Sequence, residues 1–158
     1  MVMAASVLAN ELLNLDPVDN EPQAAQVLAD AYAVFAADAQ AGAQPITATG
    51  VTLGKAAMLA ALSGMNASGA GAAVIAAAVQ AFWVAVAGGL ATSFAGATAI
   101  LPPANAGLQA LLSSDFATNT SSSASKATAT SLLANDFYAQ AVVGGTVTYP
   151  GPVVSPIL

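Results

Sequence analysis

The chain has 158 residues, enough for one domain with a sizeable core, and neither cysteine nor histidine, which excludes disulfide scaffolds, thiolate chemistry and the commonest metal ligand together. Hydrophobic residues make up 57% and charged residues only 6%, with 2 lysines, no arginine and 8 acids for a formal net charge of −6. A basic phosphate-binding surface for nucleic acid is excluded, and a surface so poor in charge calls for cover by other subunits or by lipid.

The opening MVMAASVLANELL has no basic residue ahead of its apolar ones, so no secretory signal peptide is expected. Val7/Leu8, Leu12 and Leu15 fall near one face at helical spacing, predicting a short amphipathic helix that the LDPVDNEP run from Leu15 to Pro22 breaks. Asp16, Asp19 and Glu21 lie in that break as capping acids for the next helix, with Asn20 and Gln23 spaced as a variant capping box. They lack the alternating ligands and closing glutamate of a calcium loop. From Pro22 to Ala41 the spacing of Val27, Ala31, Val34/Phe35 and Ala39 predicts a second helix, with Asp30 and Asp38 roughly 12 Å apart along its axis. That separation is too wide for a glycosidase-type carboxylate pair, so a solvated or partner-contacting face is expected.

The segment AGAQPITATGVTLGKAAM, Ala41 to Met58, is a connection rich in Gly, Pro and Thr. It leads into a helix near Val51 or Thr52 that runs through Met58, Leu59 and Leu62 to Gly64. Gly50, Gly54 and Lys55 superficially match a phosphate loop. Only three residues separate the glycines where the motif needs four, however, and Ala56 stands where it needs Ser or Thr. Lys55 is expected instead at the solvent-facing start of the helix.

Gly69 to Leu101 contains no charged residue, and the charge-free run extends from Lys55 to Asp115. At ~1.5 Å per residue a helix over this stretch would cross a small domain or a bilayer. Ile75, Val79, Phe82, Val86 and Leu90 project onto one stripe, while Val74, Trp83, Val84 and Phe94 lie off it, which predicts burial on all sides. Gly88–Gly89 predicts a bend or a close helix crossing, and Gly89/Ser93 and Thr92/Gly96 are small-residue pairs that let backbones approach. Phe82, Val86, Gly89 and Ser93 are the candidate helix-packing residues. Gln80, the two glycines and the lack of basic anchors favour a buried or interface helix over a membrane span.

Leu101-Pro102-Pro103 ends the stretch, because neither proline can donate to a helix ladder. A short helical piece follows with Leu108, Leu111 and Leu112 on one face. Ser113 to Ser125 is then a loop or the polar entry to a final helix that carries Leu132, Leu133, Phe137 and Ala141 toward Val142. With no histidine base, these serines are turn and cap residues rather than nucleophiles. After Gly144-Gly145 the run TVTYPGPVVSPIL combines β-formers with Pro150, Pro152 and Pro156, predicting an extended arm laid on a neighbouring subunit or added to its sheet. The candidate contact residues of the arm are Thr146, Val147, Tyr149, Val153, Val154, Ile157 and Leu158, and its removal is expected to abolish assembly while leaving the helical part folded.

The expected fold is therefore mostly α: an Ala-rich helical bundle around a central hydrophobic helix in residues 1–143, with an extended or β arm in 144–158. No catalytic residue, cofactor or metal site is expected. The order of pieces, an acidic N-terminal helix, the GVTLGKAAM turn, the QAFWVAVAGGLATSFAGATAILPP core and the QAVVGGTVTYPGP arm, resembles small structural proteins encoded among the tail genes of tailed bacteriophages. The resemblance implies a non-enzymatic virion component of the tail, neck or baseplate. Such a component is present in several copies, assembles in the host cytoplasm and contacts itself and other virion proteins. The alternative is a membrane-active helical protein, holin-like or a tail component that meets the host membrane.

Overall fold

Helix α1 (Ala5–Leu13) forms where Leu8 and Leu12, one turn apart, share the buried face, and it lies between α2 (Glu21–Ala36) and α6 (Lys126–Ala141). The computed structural model describes residues 3–13, 21–63, 71–105, 107–121, 126–151 and 153–158. Leu15, Asp16, Asp19 and Asn20 lie outside the described residues, as does the side chain of Glu21, so the proposed capping of α2 does too.

Helix α3 (Ala48–Leu62) starts three residues earlier than Val51, because Thr47 caps it: its hydroxyl accepts from Gly50 N at 3.0 Å. The same hydroxyl donates to the Thr92 carbonyl, and Thr47 N donates to Ser93 O at 2.8 Å. One residue thus begins α3 and ties it to the chain that leaves α4 (Gly71–Gly89). The two helices form the most extensive helix contact in the fold, and glycines of α3 set their approach. A Cβ on Gly50 would stand 2.8 Å from Ser93 Cα, and one on Gly54 would stand 2.7 Å from three ring atoms of Phe82. Gly50 and Gly54 are four residues apart, so both open the same side of α3 to the neighbouring helix. This is their function in the fold, in place of a phosphate loop.

The core is aromatic at its centre. Tyr32 of α2 meets Phe35, Phe82 and Phe137 edge-on, with ring centroids 5.5, 5.1 and 5.7 Å away. Trp83 packs edge-on against Phe82 at 5.3 Å, and its indole N–H donates to the Tyr32 hydroxyl at 2.8 Å. All five rings are fully buried, and the one hydrogen bond satisfies the indole donor that burial would otherwise leave unpaired.

The apolar stretch departs from its expected course in two ways. It is not one helix to Leu101: α4 stops at Gly89, Leu90 takes a left-handed backbone (φ 42°), and a 3-10 turn at Leu90–Thr92 leads to strand β3 (Ala99–Leu101). Two glycines of low helix propensity ahead of a left-handed residue are sufficient to end it. Nor is it buried on all sides, since Val84 is 52% exposed. Ile75, Val79, Phe82 and Val86 are buried, as is Trp83 off their stripe, whereas Leu90, placed with the first four by periodicity, is 42% exposed because the helix has ended.

Helix α5 (Leu108–Ser121) runs well beyond its three leucines, so the Ser/Thr run begins inside a helix rather than in a loop. Leu108 and Leu112 are buried, and α5 packs on α4 and α6. In α6, Phe137 and Ala141 face the core as their spacing predicts.

Among the described residues, five short strands complete the fold. β1 (Gln40–Ala41) and β2 (Gln44–Pro45) form a hairpin across Gly42, whose φ of +63° only glycine adopts readily. β3 pairs with β4 (Thr146–Tyr149), and β4 pairs with β5 (Val153–Pro156), both antiparallel. Past β5, Ile157 bridges to Ala41 of β1, while Gln40 and Leu158 exchange N–H to carbonyl bonds of 2.9 and 2.8 Å. β2 in turn continues into an Ile46–Phe94 bridge, so backbone pairing runs from β3 through β4, β5, β1 and β2 back to the segment just before β3.

Candidate assembly surface

The segment expected to reach out as an arm folds onto its own chain. Register and side-chain alternation divide its residues between two faces. Ile100, Val147 and Ser155 lie across from one another on the inner face, followed by Ile157, and both Val147 and Ile157 are fully buried in the chain's own core. Tyr149 is half-buried and reaches back to donate to the Ala41 carbonyl at 3.2 Å. Of the seven candidate arm residues, these three therefore serve the chain's own fold. Thr146 and Thr148 form the centre of the outer face and are half-buried. Around them stand Ala99 and Leu101 of β3 and Val154 and Pro156 of β5, all exposed. Val153 at the β4–β5 turn is 54% exposed and Leu158 at the far end 43%.

The four candidate helix-packing residues are placed differently. Phe82, Val86 and Ser93 are buried at the α3–α4 crossing. Gly89 sits at the end of α4, where a Cβ would meet Ser93 Oγ, Leu53 and Thr92. Gly88, expected at a close crossing, is exposed, and a Cβ there would meet nothing within 4 Å. Gly89 does lie at a close contact, with Leu53 of α3, and the other close approaches are those of Gly50 to Ser93 and Gly54 to Phe82, made by glycines of α3 that sequence reasoning passed over. The Gly50-x-x-x-Gly54 spacing on a helix face was the available signal.

Lys55 is ion-paired with Asp30 across α2 and α3 instead of standing free in solvent, and Gln26 donates to the same carboxylate at 3.1 Å. Burial works against the charge of Asp30, but Lys55 and Gln26 prevail and hold its carboxyl below the usual value.

A second acidic contact was not foreseen. Asp115 of α5 and Asp136 of α6 hydrogen-bond to each other, and each keeps an oxygen buried without a partner. Burial, the charge of Asp115 and the shared hydrogen bond together raise Asp136 to about 6. Unfolded, the group titrates near 3.8, so the folded state holds the proton more tightly. Its stabilising contribution is full below about pH 3.8 and is lost as pH rises through about 6. Asp136→Asn should therefore melt above wild type at pH 7.5 and lose that advantage at pH 4, as followed by thermal denaturation across that range. An advantage independent of pH would mean that the two carboxyls share no proton.

Ala104, Leu108, Leu111, Ala139, Gln140 and Val143 line a groove of about 160 Å³ between the start of α5 and the end of α6. Among the described residues no three Asp or Glu side chains converge as a metal site would require. Chemically the outer face of the sheet offers apolar contact. Comparison with protein-family models, curated proteins and solved structures found no match to this chain.

Proposed function

We propose that the chain is a non-enzymatic structural subunit of a tailed-phage particle, a component of the tail, neck or baseplate that packs against copies of itself and other virion proteins. One observation carries the assembly part of this reading. Twelve large apolar side chains are more than a third exposed among the described residues, in a chain with only ten formally charged side chains, 2 basic and 8 acidic. Large apolar groups on a weakly charged surface are the property of a protein whose neighbours cover it. The virion setting rests on the resemblance in the order and composition of its segments. Mass spectrometry of purified particles of the phage that encodes the chain should find it at fixed stoichiometry. Particles that lack it overturn the proposal.

One feature supports a second reading, insertion into the host membrane. Gly71–Thr92 spans 22 residues with a mean hydropathy of 2.0, long and apolar enough by length and composition to cross a bilayer. Against it, Phe82 and Trp83 in the middle of this helix are fully buried, Phe82 packed edge-on against Tyr32 and Trp83 hydrogen-bonded to its hydroxyl, contacts that insertion would break. Recovery of the protein expressed alone in the membrane fraction, and only with detergent, would favour the second reading.

A further inference from the structure

We propose that the outer face of the β3–β4–β5 sheet is the surface on which a second copy of this chain docks, an inference that rests on the structural-subunit reading and names its contact. A sheet with one face on the core ordinarily turns polar side chains outward. Here only Thr146 and Thr148 do so, and the strands on either side present Ala99, Leu101, Val154 and Pro156. The two most exposed large apolar side chains described, Leu101 (61%) and Val154 (59%), both lie on this face. Two such residues on one small face differ from the single exposed residues that scatter over an ordinary surface.

Electrostatics selects the occupant. The chain carries a net charge of −6, so two copies repel wherever their acidic helices meet. The described acids lie on α1, α2, α5 and α6 and at Asp38, whereas none of the five strands contains a charged residue. A basic partner would be drawn to the helices and would gain nothing from a neutral sheet. The partner that suits the sheet is equally uncharged and apolar, and the same face of another copy has that chemistry. In a two-fold pairing about the centre of β4, Leu101 of one copy meets Val154 and Pro156 of the other. The threonine hydroxyls then face one another, where each can both donate and accept. A stable interface covers about 800 Å² per partner, more than three short strands provide, so the flanking Val143 and Leu111 belong to it as well. Val143 is held beside the Leu101 end by the bond from Ala104 N to its carbonyl, 2.9 Å long.

The test is sedimentation of the purified full chain over a dilution series, comparing wild type with Leu101→Lys, Val154→Lys and the control Val84→Lys on the exposed side of α4. All three sites are exposed, and circular dichroism confirms that each variant is folded. Wild type and Val84→Lys should self-associate alike, and each sheet variant should weaken association by at least about tenfold, as expected where a lysine must be desolvated at a contact. A wild type that stays monomeric throughout, or association unaffected by the sheet variants, overturns the proposal. Detection of the chain in particles is read separately, so the sheet contact can fail while the structural-subunit reading stands.

Discussion

Replacing Gly54 with alanine should destabilise the protein by about 1–3 kcal/mol, while the same replacement at Gly88 should stabilise it by up to ~1 kcal/mol. Both glycines lie in α-helices, so the gain in helix propensity is of the same sign at both. What differs is the space around the added methyl. At Gly54 the new Cβ would stand 2.7 Å from three atoms of the Phe82 ring, well inside contact distance. That ring cannot withdraw, because it is fully buried and held edge-on between Tyr32 and Trp83. The strain must pass to the α3–α4 spacing, and interiors packed at crystal-like density resist it. At Gly88 nothing lies within 4 Å, and the methyl only restricts the unfolded chain. Urea unfolding of the two variants should move the midpoint in opposite directions. A Gly54→Ala variant as stable as Gly88→Ala would mean that α4 does not lie in the glycine groove of α3.

The contrast between these two glycines shows what the chain made legible and what it did not. Periodicity located α1, α3 and α6, because each presents apolar residues to the core at turns that repeat: Leu8 and Leu12, Met58 and Leu62, Phe137 and Ala141. It failed at the end of α4. Leu90 continues the apolar stripe on paper, but a left-handed backbone at that residue ends the helix, and periodicity carries no information about φ. The strands were legible only in part. TVTY and VVSP contain β-formers, whereas β1, β2 and β3 have two or three residues each and exist because distant segments pair with them. Ile46 meets Phe94, and Ala41 meets Ile157, more than a hundred residues away. The carboxyl pair was illegible for the same reason. Asp115 and Asp136 sit on separate helices, and only the α5–α6 packing brings them together. For the candidate site the chemistry of the strands could be read, but which residues the chain would use for its own core could not. Val147 and Ile157 alternate with Thr148 and Pro156, and the face each occupies is decided by what packs beneath.

Removal of residues 146–158 should abolish cooperative folding, not merely assembly, although the sequence presents the segment as an arm needed for assembly alone. It supplies two of the three strands of the main sheet and, through Leu158, the hydrogen bonds that hold Gln40 of β1. Full burial of Val147 and Ile157 contributes about 1.5–3 kcal/mol each, and each backbone bond lost adds about 0.5–1.5 kcal/mol. Against a typical total stability of about 5–15 kcal/mol, that is enough to unfold a marginal domain. The truncation would also uncover Ala41 and the inner side of Ile100, leaving apolar surface with nothing to cover it. A milder change separates packing from loss of chain: Ile157→Ala should cost about 2–4 kcal/mol, whereas Val154→Ala on the outer face should change stability by less than about 0.5 kcal/mol. Thermal melts followed by circular dichroism should show no cooperative transition for the truncation, a lowered one for Ile157→Ala and a wild-type one for Val154→Ala. A truncated protein that melts like wild type would mean that the C-terminal strands dock on the helices without supporting them, and the sheet would again have to be regarded as an arm.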